Sequence, residues 1–163
     1  MRYGRVGLDI VMDGTCKIDG GAMFGVVPKG LWSKQKEADE LNRVTMDMNC
    51  VLIRSADHVV LVETGAGSKL TEKQRGIYGI ERPPALLDEL AKRGVKPEDV
   101  TLVVNTHLHF AHSAGNTRRD GAPPLAPFPP ASAVFPRPAS AAALTTHRPP
   151  PASHFPAALP PPV

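Results

Sequence analysis

Three histidines fall within six residues in the second half of the chain, at His107, His109 and His112. They follow the apolar run 100–104, and a short run rich in β-branched residues is typical of a buried strand. Because side chains alternate along a strand, His107 and His109 are expected to point the same way, and a turn returns His112 to them. Neutral imidazole is a good zinc ligand. The spacing therefore predicts a metal site where a strand runs out into a loop.

Several separate motifs resemble the metallo-β-lactamase superfamily. The histidine segment, followed by Ala114-Gly115-Asn116, is similar to that family's H-x-H-x-D-H loop and its following G-N. Val62-Glu63-Thr64-Gly65 resembles the family's D-T-G turn, and residues 19–25 and 27–32 resemble the entry segment of a lactonase-like branch. The resemblance covers about the first 119 residues, with the motifs in the family's order.

This resemblance implies a zinc-dependent hydrolase that attacks an ester, lactone or amide carbonyl of a small molecule with metal-bound hydroxide. It assigns His107 and His109 to a first zinc ion and His112 to a second, so one or two zinc ions are the expected cofactors. By the same resemblance, Met23 and Phe24 line the mouth of the substrate site. Packing beneath a loop is an equally good interpretation of both side chains.

Two positions depart from the family's pattern. Ala111 stands where the loop should carry Asp, and a methyl group neither coordinates a metal nor accepts a proton. Loss of a carboxylate base costs roughly 10²–10⁴ in rate. Glu63 stands in place of Asp, and we expect it to hydrogen-bond the loop backbone rather than bind metal. No residue is assigned a catalytic role, so impaired turnover or an inactive zinc-binding remnant is expected.

Strands and hairpins are predicted before the histidines. Residues 3–18 predict one or two strands with a turn at Asp13-Gly14, a favoured hairpin dipeptide. Residues 44–54 and 59–62 predict a second hairpin with a buried central part. A phosphate-binding loop is not predicted at 64–67, because the Lys-Ser/Thr pair of such loops is missing.

Two helices are predicted between these strands and the histidines. Thr71 and Gln74 have the spacing of a capping box that opens a short helix. Pro83-Pro84 and the leucines after them predict a second helix that ends near Gly94. Hairpins, helices and a strand ending in ligands indicate an α+β fold, the N-terminal half of a metallo-β-lactamase-type αβ/βα sandwich, in a partial domain at residues 1–119.

Composition changes abruptly at about residue 120. The segment 121–163 holds 14 of the 18 prolines and no Asp, Glu or Lys. Proline at this density disfavours regular helices and central strands, and few large apolar residues remain to offset the entropy of ordering. We therefore predict a disordered Pro/Ala-rich tail at residues 120–163, without the family's later ligands.

Two hypotheses account for this tail. Its Pro, Ala, Arg and Ser content is what a shifted reading frame of GC-rich DNA yields, so a frameshift near codon 120 is one hypothesis. The alternative is a non-enzymatic protein whose proline runs dock to an aromatic groove of a partner.

Charge and hydropathy exclude other classes. The net charge is +3 and no Lys/Arg cluster is present, so nucleic-acid binding is not predicted. No apolar run reaches the roughly 18 residues of a membrane span, and none resembles a signal peptide, so a cytoplasmic protein without membrane partners is expected. Cys16 and Cys50 are predicted to be reduced, buried thiols. The sequence does not predict an oligomeric state.

Overall fold

A six-stranded sheet organises the chain. The computed structural model describes residues 1–80, 85–118 and 126–135. The strands lie in chain order across the sheet: β1 (Arg2–Tyr3), β2 (Val6–Asp19), β3 (Arg43–Arg54), β4 (Val59–Val62), β5 (Leu102–Val104) and β6 (Ser132–Val134). The first four pair antiparallel, whereas β4, β5 and β6 pair parallel. The connection from β4 to β5 therefore carries helices, as parallel strands require.

Short helices fill the connections. They are α1 (Gly20–Phe24), α2 (Lys29–Trp32), α3 (Glu72–Ile77), α4 (Leu86–Ala91) and α5 (Phe110–Ser113), with 3₁₀ turns at Pro97–Asp99 and Ala114–Asn116. The predicted capping box is confirmed, since Thr71 and Gln74 satisfy each other's backbone at the start of α3. None of the helices in these three ranges is long and apolar enough to cross a bilayer.

The core divides into two apolar clusters. One lies between the centre of the sheet and α4, where Leu52 and Leu61 meet Leu86 and Leu90. The other includes Cys16 and Phe110, and Ala111 packs on its edge. Both cysteines are free and buried, as predicted. The second cluster underlies the histidine loop and fixes its position on the sheet.

The predicted turn at Asp13-Gly14 is wrong. β2 continues through these residues, and only its register against β3 shifts, between Met12 and Thr15. The shift marks a β-bulge, which bends and twists a strand without ending it. Gly14 takes up the irregularity with a φ of 104°, while Asp13 is 1% exposed. The dipeptide therefore re-aims a carboxylate into the interior.

The C-terminal segment departs from the predicted tail at residues 126–135. There β6 pairs with β5, and the Phe128 side chain is 5% exposed within the first core cluster. A three-residue edge strand and one aromatic anchor tolerate the neighbouring prolines, because an edge strand needs few ladder hydrogen bonds. Of the proline runs in the predicted tail, Pro129-Pro130 lies in an exposed turn before β6. The rest of the tail and the helix start at Pro83-Pro84 lie outside the described residues.

Candidate metal centre

The histidine loop begins where β5 ends. His109 caps the N-terminus of α5, and the backbone N–H of His112 donates to the His109 carbonyl at 3.0 Å. This turn gathers the three rings. The His107 ring centroid lies 4.6 Å from that of His109, edge to face, and 4.0 Å from that of His112.

A compact set of donor atoms forms at the same place. Glu63, His107 and His112 each offer one ligand atom, and these atoms lie within 4.8 Å of one another. Within the part of the chain that the structure describes, no such set includes His109, which is exposed beside His107. Two imidazoles and one carboxylate are a donor set that zinc accepts in catalytic sites. The side chains present therefore fit a zinc ion.

Glu63 enters the site from the end of β4. Its φ of 67° lies in the left-handed region, which turns its side chain out of the strand pattern. One carboxylate oxygen accepts the backbone N–H of Thr106 at 2.9 Å and also the Thr106 hydroxyl, and it lies 3.6 Å from His112 Nδ1. The predicted hydrogen bond to the loop backbone is confirmed, but Glu63, which we did not expect to bind metal, also belongs to the set of donor atoms.

The charge on Glu63 is stabilised in place. The residue is 6% exposed, and burial disfavours its charged form. The interactions with His112, Thr106 and Asn105 outweigh burial and lower the pKa of this carboxyl below its usual value. Glu63 is therefore an anion at neutral pH, the state in which it can bind a cation.

Buried polar side chains lie behind the ligands. Asn105 donates to Glu63 and to the His112 carbonyl, and Asn116 and Thr64 continue the chain of hydrogen bonds. Sequence reasoning quoted Thr64 and Asn116 only as parts of motifs and missed Asn105. Its signal was a polar residue directly after a buried strand.

Gly115 explains how the two loops approach each other. A Cβ at this position would lie 2.0 Å from the Thr64 carbonyl oxygen. The N–H of Gly115 donates to the Gly65 carbonyl at 3.1 Å. Only a residue without a side chain allows this contact between the turn after β4 and the turn after α5.

A mostly apolar cleft of about 740 Å³ opens beside the histidines. Met23, Phe110, Ala111 and His112 are among its lining residues. Phe24 is not, because its ring stacks on Trp32 with the centroids 4.7 Å apart. The structure thus places the two side chains assigned to the substrate mouth in different environments. Ala111 presents a methyl group to the cleft where the family's pattern has a carboxylate.

Comparison with known proteins places this geometry in a family. The sequence profile of the Metallo-beta-lactamase superfamily matches residues 46–157. That match continues past residue 119, where we expected the resemblance to end.

Individual relatives agree with the profile. An N-acyl homoserine lactonase from Bacillus cereus is 23% identical over 119 residues, which cover 67% of this chain and 43% of the relative. The crystal structure of a probable metal-dependent hydrolase from Staphylococcus aureus is 35% identical with a TM-score of 0.82, covering 88% of this chain and 51% of that one.

A dizinc quorum-quenching lactonase in complex with a product, an N-acylated homoserine, has a TM-score of 0.70 and 21% identity, covering 90% of this chain and 47% of its own. At that identity the likeness shows the fold alone. The chain spans about half the length of the relatives it matches.

Proposed function

Because the chain belongs to the metallo-beta-lactamase superfamily, we propose that it is a zinc-dependent hydrolase of esters, lactones or amides whose turnover is impaired in this chain. The observation that carries the proposal is the set of donor atoms on Glu63, His107 and His112 within 4.8 Å of one another. Zinc, when bound, polarises a carbonyl group and lowers the pKa of a coordinated water from about 15.7 to about 7.

His107 and His112 hold the metal together with Glu63. His109 is assigned to the same centre because its ring lies edge-on to His107, with 4.6 Å between centroids. Its side chain is exposed and lines the cleft together with His112. The negative charge of Glu63 offsets part of the charge of the cation.

The cleft binds the apolar body of a small substrate. Met23 and Phe110 supply apolar surface, and His112 lies at the wall where the carbonyl group would meet the metal. A volume of about 740 Å³ is in the range of small-molecule sites. The lactonase relatives make an acylated lactone the first substrate to test.

Impaired turnover follows from Ala111. A general base contributes roughly 10²–10⁴ in rate, and a methyl group cannot take a proton from water. Glu63 is an imperfect substitute, because its hydrogen bonds to Thr106 occupy the oxygen that lies closest to His112. We therefore expect the chain to bind zinc and substrate but to hydrolyse the substrate slowly.

Metal analysis and substrate hydrolysis together test the proposal. Purified protein is loaded with zinc, its metal content is measured, and hydrolysis of lactone, ester and β-lactam substrates is followed. We expect about one zinc per chain and slow hydrolysis of lactones or esters. His107→Ala and His112→Ala should lose the zinc, whereas the control His58→Ala should keep it. Zinc binding without any hydrolysis would identify an inactive zinc-binding remnant, and absence of zinc binding would overturn the proposal.

A further inference from the structure

A chain of buried polar side chains runs behind the donor atoms. Thr64 is fully buried, and Asn105 and Asn116 are 1% and 7% exposed. The Thr64 hydroxyl donates to Asn116 Oδ1 at 2.8 Å, and Asn116 Nδ2 donates to Asn105 Oδ1 at 2.8 Å. Buried amides of this kind cost free energy unless every polar atom has a partner. The hydrogen bonds between these side chains all run in one direction, with each residue donating to the next, from Thr64 towards the site.

Asn105 is the point where this chain reaches the ligands. Its Nδ2 donates both to Glu63 Oε2, at 3.2 Å, and to the backbone carbonyl of His112, at 2.9 Å. One amide group thus connects the carboxylate from the β4 end with the histidine from α5. The other oxygen of Glu63 is held by Thr106, so Asn105 completes the fixation of the carboxylate.

The orientation of the Asn105 amide is determined by its neighbour. Because Asn116 donates to Asn105 Oδ1, the Nδ2 group must face Glu63 and His112. The reversed amide would place an oxygen against the Glu63 carboxylate and the His112 carbonyl, where both contacts are repulsive. Asn116 and Thr64 therefore reach the site through Asn105 and the backbone of His112.

We propose that Asn105 is a positioning residue that fixes the Glu63 carboxylate and His112 relative to each other, so that metal affinity depends on an amide that contacts no metal. This inference rests on the proposed function for the metal, but the effect on Glu63 is a property of the metal-free protein. Partners of metal ligands commonly change affinity by about 10–100-fold when removed.

Asn105→Asp tests the proposal with little change in shape. The substitution replaces the Nδ2 donor of Asn105 by a carboxylate oxygen, which repels the Glu63 carboxylate. Asn49→Asp is the matched control, because Asn49 is an exposed asparagine on β3 and the change in charge is the same. Zinc affinity is measured by competition with a chromophoric chelator, and the free energy of unfolding is measured on the metal-free proteins.

We expect Asn105→Asp to weaken zinc binding by at least about 10-fold and Asn49→Asp by less than about 2-fold. In the metal-free protein, hydrogen exchange at the Thr106 amide should accelerate in Asn105→Asp alone, because Glu63 no longer holds that N–H. If Asn105 acts through Glu63, the loss of affinity should shrink when Glu63→Gln is already present. A purely structural role would leave that loss unchanged.

Two results are kept apart by this design. If the wild-type protein binds zinc and a folded Asn105→Asp variant binds it equally well, the positioning role is overturned while the proposed function stands. If neither the wild-type protein nor any variant binds zinc, the proposed function fails. In that case the positioning role is still tested by hydrogen exchange, and unchanged exchange at the Thr106 amide in Asn105→Asp would overturn it. Should Asn105→Asp not fold, Thr64→Val breaks the far end of the chain with little change in volume. That variant is expected to weaken zinc binding several-fold, and unchanged affinity would contradict the proposal.

Discussion

Glu63 is the residue on which the candidate centre depends most. It is the only carboxylate in the donor set found among the described residues, and its pKa is held below the usual value by His112, Thr106 and Asn105 against the opposing effect of burial. It comes from a different loop than the histidines, so it makes the site a product of the tertiary structure.

Glu63→Gln should weaken zinc binding by about 10-fold or more, because the charge is lost while the shape is kept. The affinity is measured by chelator competition at neutral pH. Glu98→Gln, at an exposed position in the turn before β5, is the control and should leave the affinity unchanged. Equal affinity of Glu63→Gln and wild type would remove Glu63 from the centre.

Ala111→Asp should not restore activity on its own. The new carboxylate would enter the cleft wall beside His112, but the donor set there is already arranged around the Glu63 carboxylate. We expect lactone hydrolysis to change by less than about 10-fold, well below the 10²–10⁴ that a working base supplies. A larger gain, measured with zinc loaded, would contradict this account.

Asp13 predicts a pH effect on stability. Burial raises the pKa of its carboxyl above 3.8, although the N–H groups of Ala66, Gly67 and Leu86 oppose the shift. The folded protein therefore binds this proton more tightly than the unfolded chain. Its contribution to the free energy of unfolding is greatest below about pH 3.8 and falls as the pH rises through the raised pKa.

Urea unfolding of wild type and Asp13→Asn from about pH 3 to pH 7 measures this contribution, because the variant cannot titrate there. The wild-type value minus the variant value should decrease as the pH rises. A difference that grows with pH would mean that the pKa of Asp13 is lowered.

At the scale of elements, two turns hold the site together. The turn after β4 carries Glu63 and Thr64, and the turn after α5 carries Gly115 and Asn116. Their backbones are in direct contact, since Thr64 N–H donates to the His112 carbonyl at 2.7 Å and Gly115 N–H to Gly65. Neither turn alone would fix the donor atoms.

Gly115→Ala should separate these turns. Its Cβ would meet the Thr64 carbonyl at 2.0 Å, and backbone cannot rotate away as a side chain would. We expect a loss of about 1–3 kcal/mol in the free energy of unfolding together with weaker zinc binding. Gly30→Ala in α2 has open space around its Cβ and is expected to be neutral or stabilising by about 0.5–1 kcal/mol. Equal stabilities of the two variants would contradict the close contact.

Sequence patterns predicted elements well where local chemistry decides them. The capping box at Thr71 and the buried leucines Leu86 and Leu90 of α4 follow from spacing alone. The turn predicted at Asp13-Gly14 failed because the pairing of β2 with β3 carries the strand through a bulge. A dipeptide with a preference for hairpin turns forms one only where the strand is not held straight by pairing with a long neighbouring strand.

At the scale of the whole molecule, several large apolar side chains remain exposed, some of them in the cleft. Val26 is fully exposed, and Leu31, Leu41 and Ile77 are between 56% and 69% exposed. Two of these, Leu41 and Ile77, line the cleft. Exposed apolar groups of this size favour association when they are contiguous.

We therefore expect self-association that increases with protein concentration, detected by sedimentation velocity. Val26→Ser combined with Leu41→Ser should reduce it without lowering the free energy of unfolding, because neither side chain is buried. Tyr3→Ser, at an exposed residue of β1, is the control. A wild-type protein that stays monomeric at high concentration would refute this prediction.

The sequence by itself determined the types and spacing of the donors, the family and the α+β class, because these follow from local periodicity and short motifs. His107, His109 and His112 belong to one loop and needed no distant contact to be recognised. The tertiary structure alone decided that Glu63 joins two of them, that Asn105 and Asn116 lie behind them, and that Met23 rather than Phe24 lines the cleft. The contacts that bring Glu63 to Asn105 and Thr64 to Asn116 join residues 42 and 52 positions apart. The register of the sheet brings such residues together, and no local pattern encodes that register.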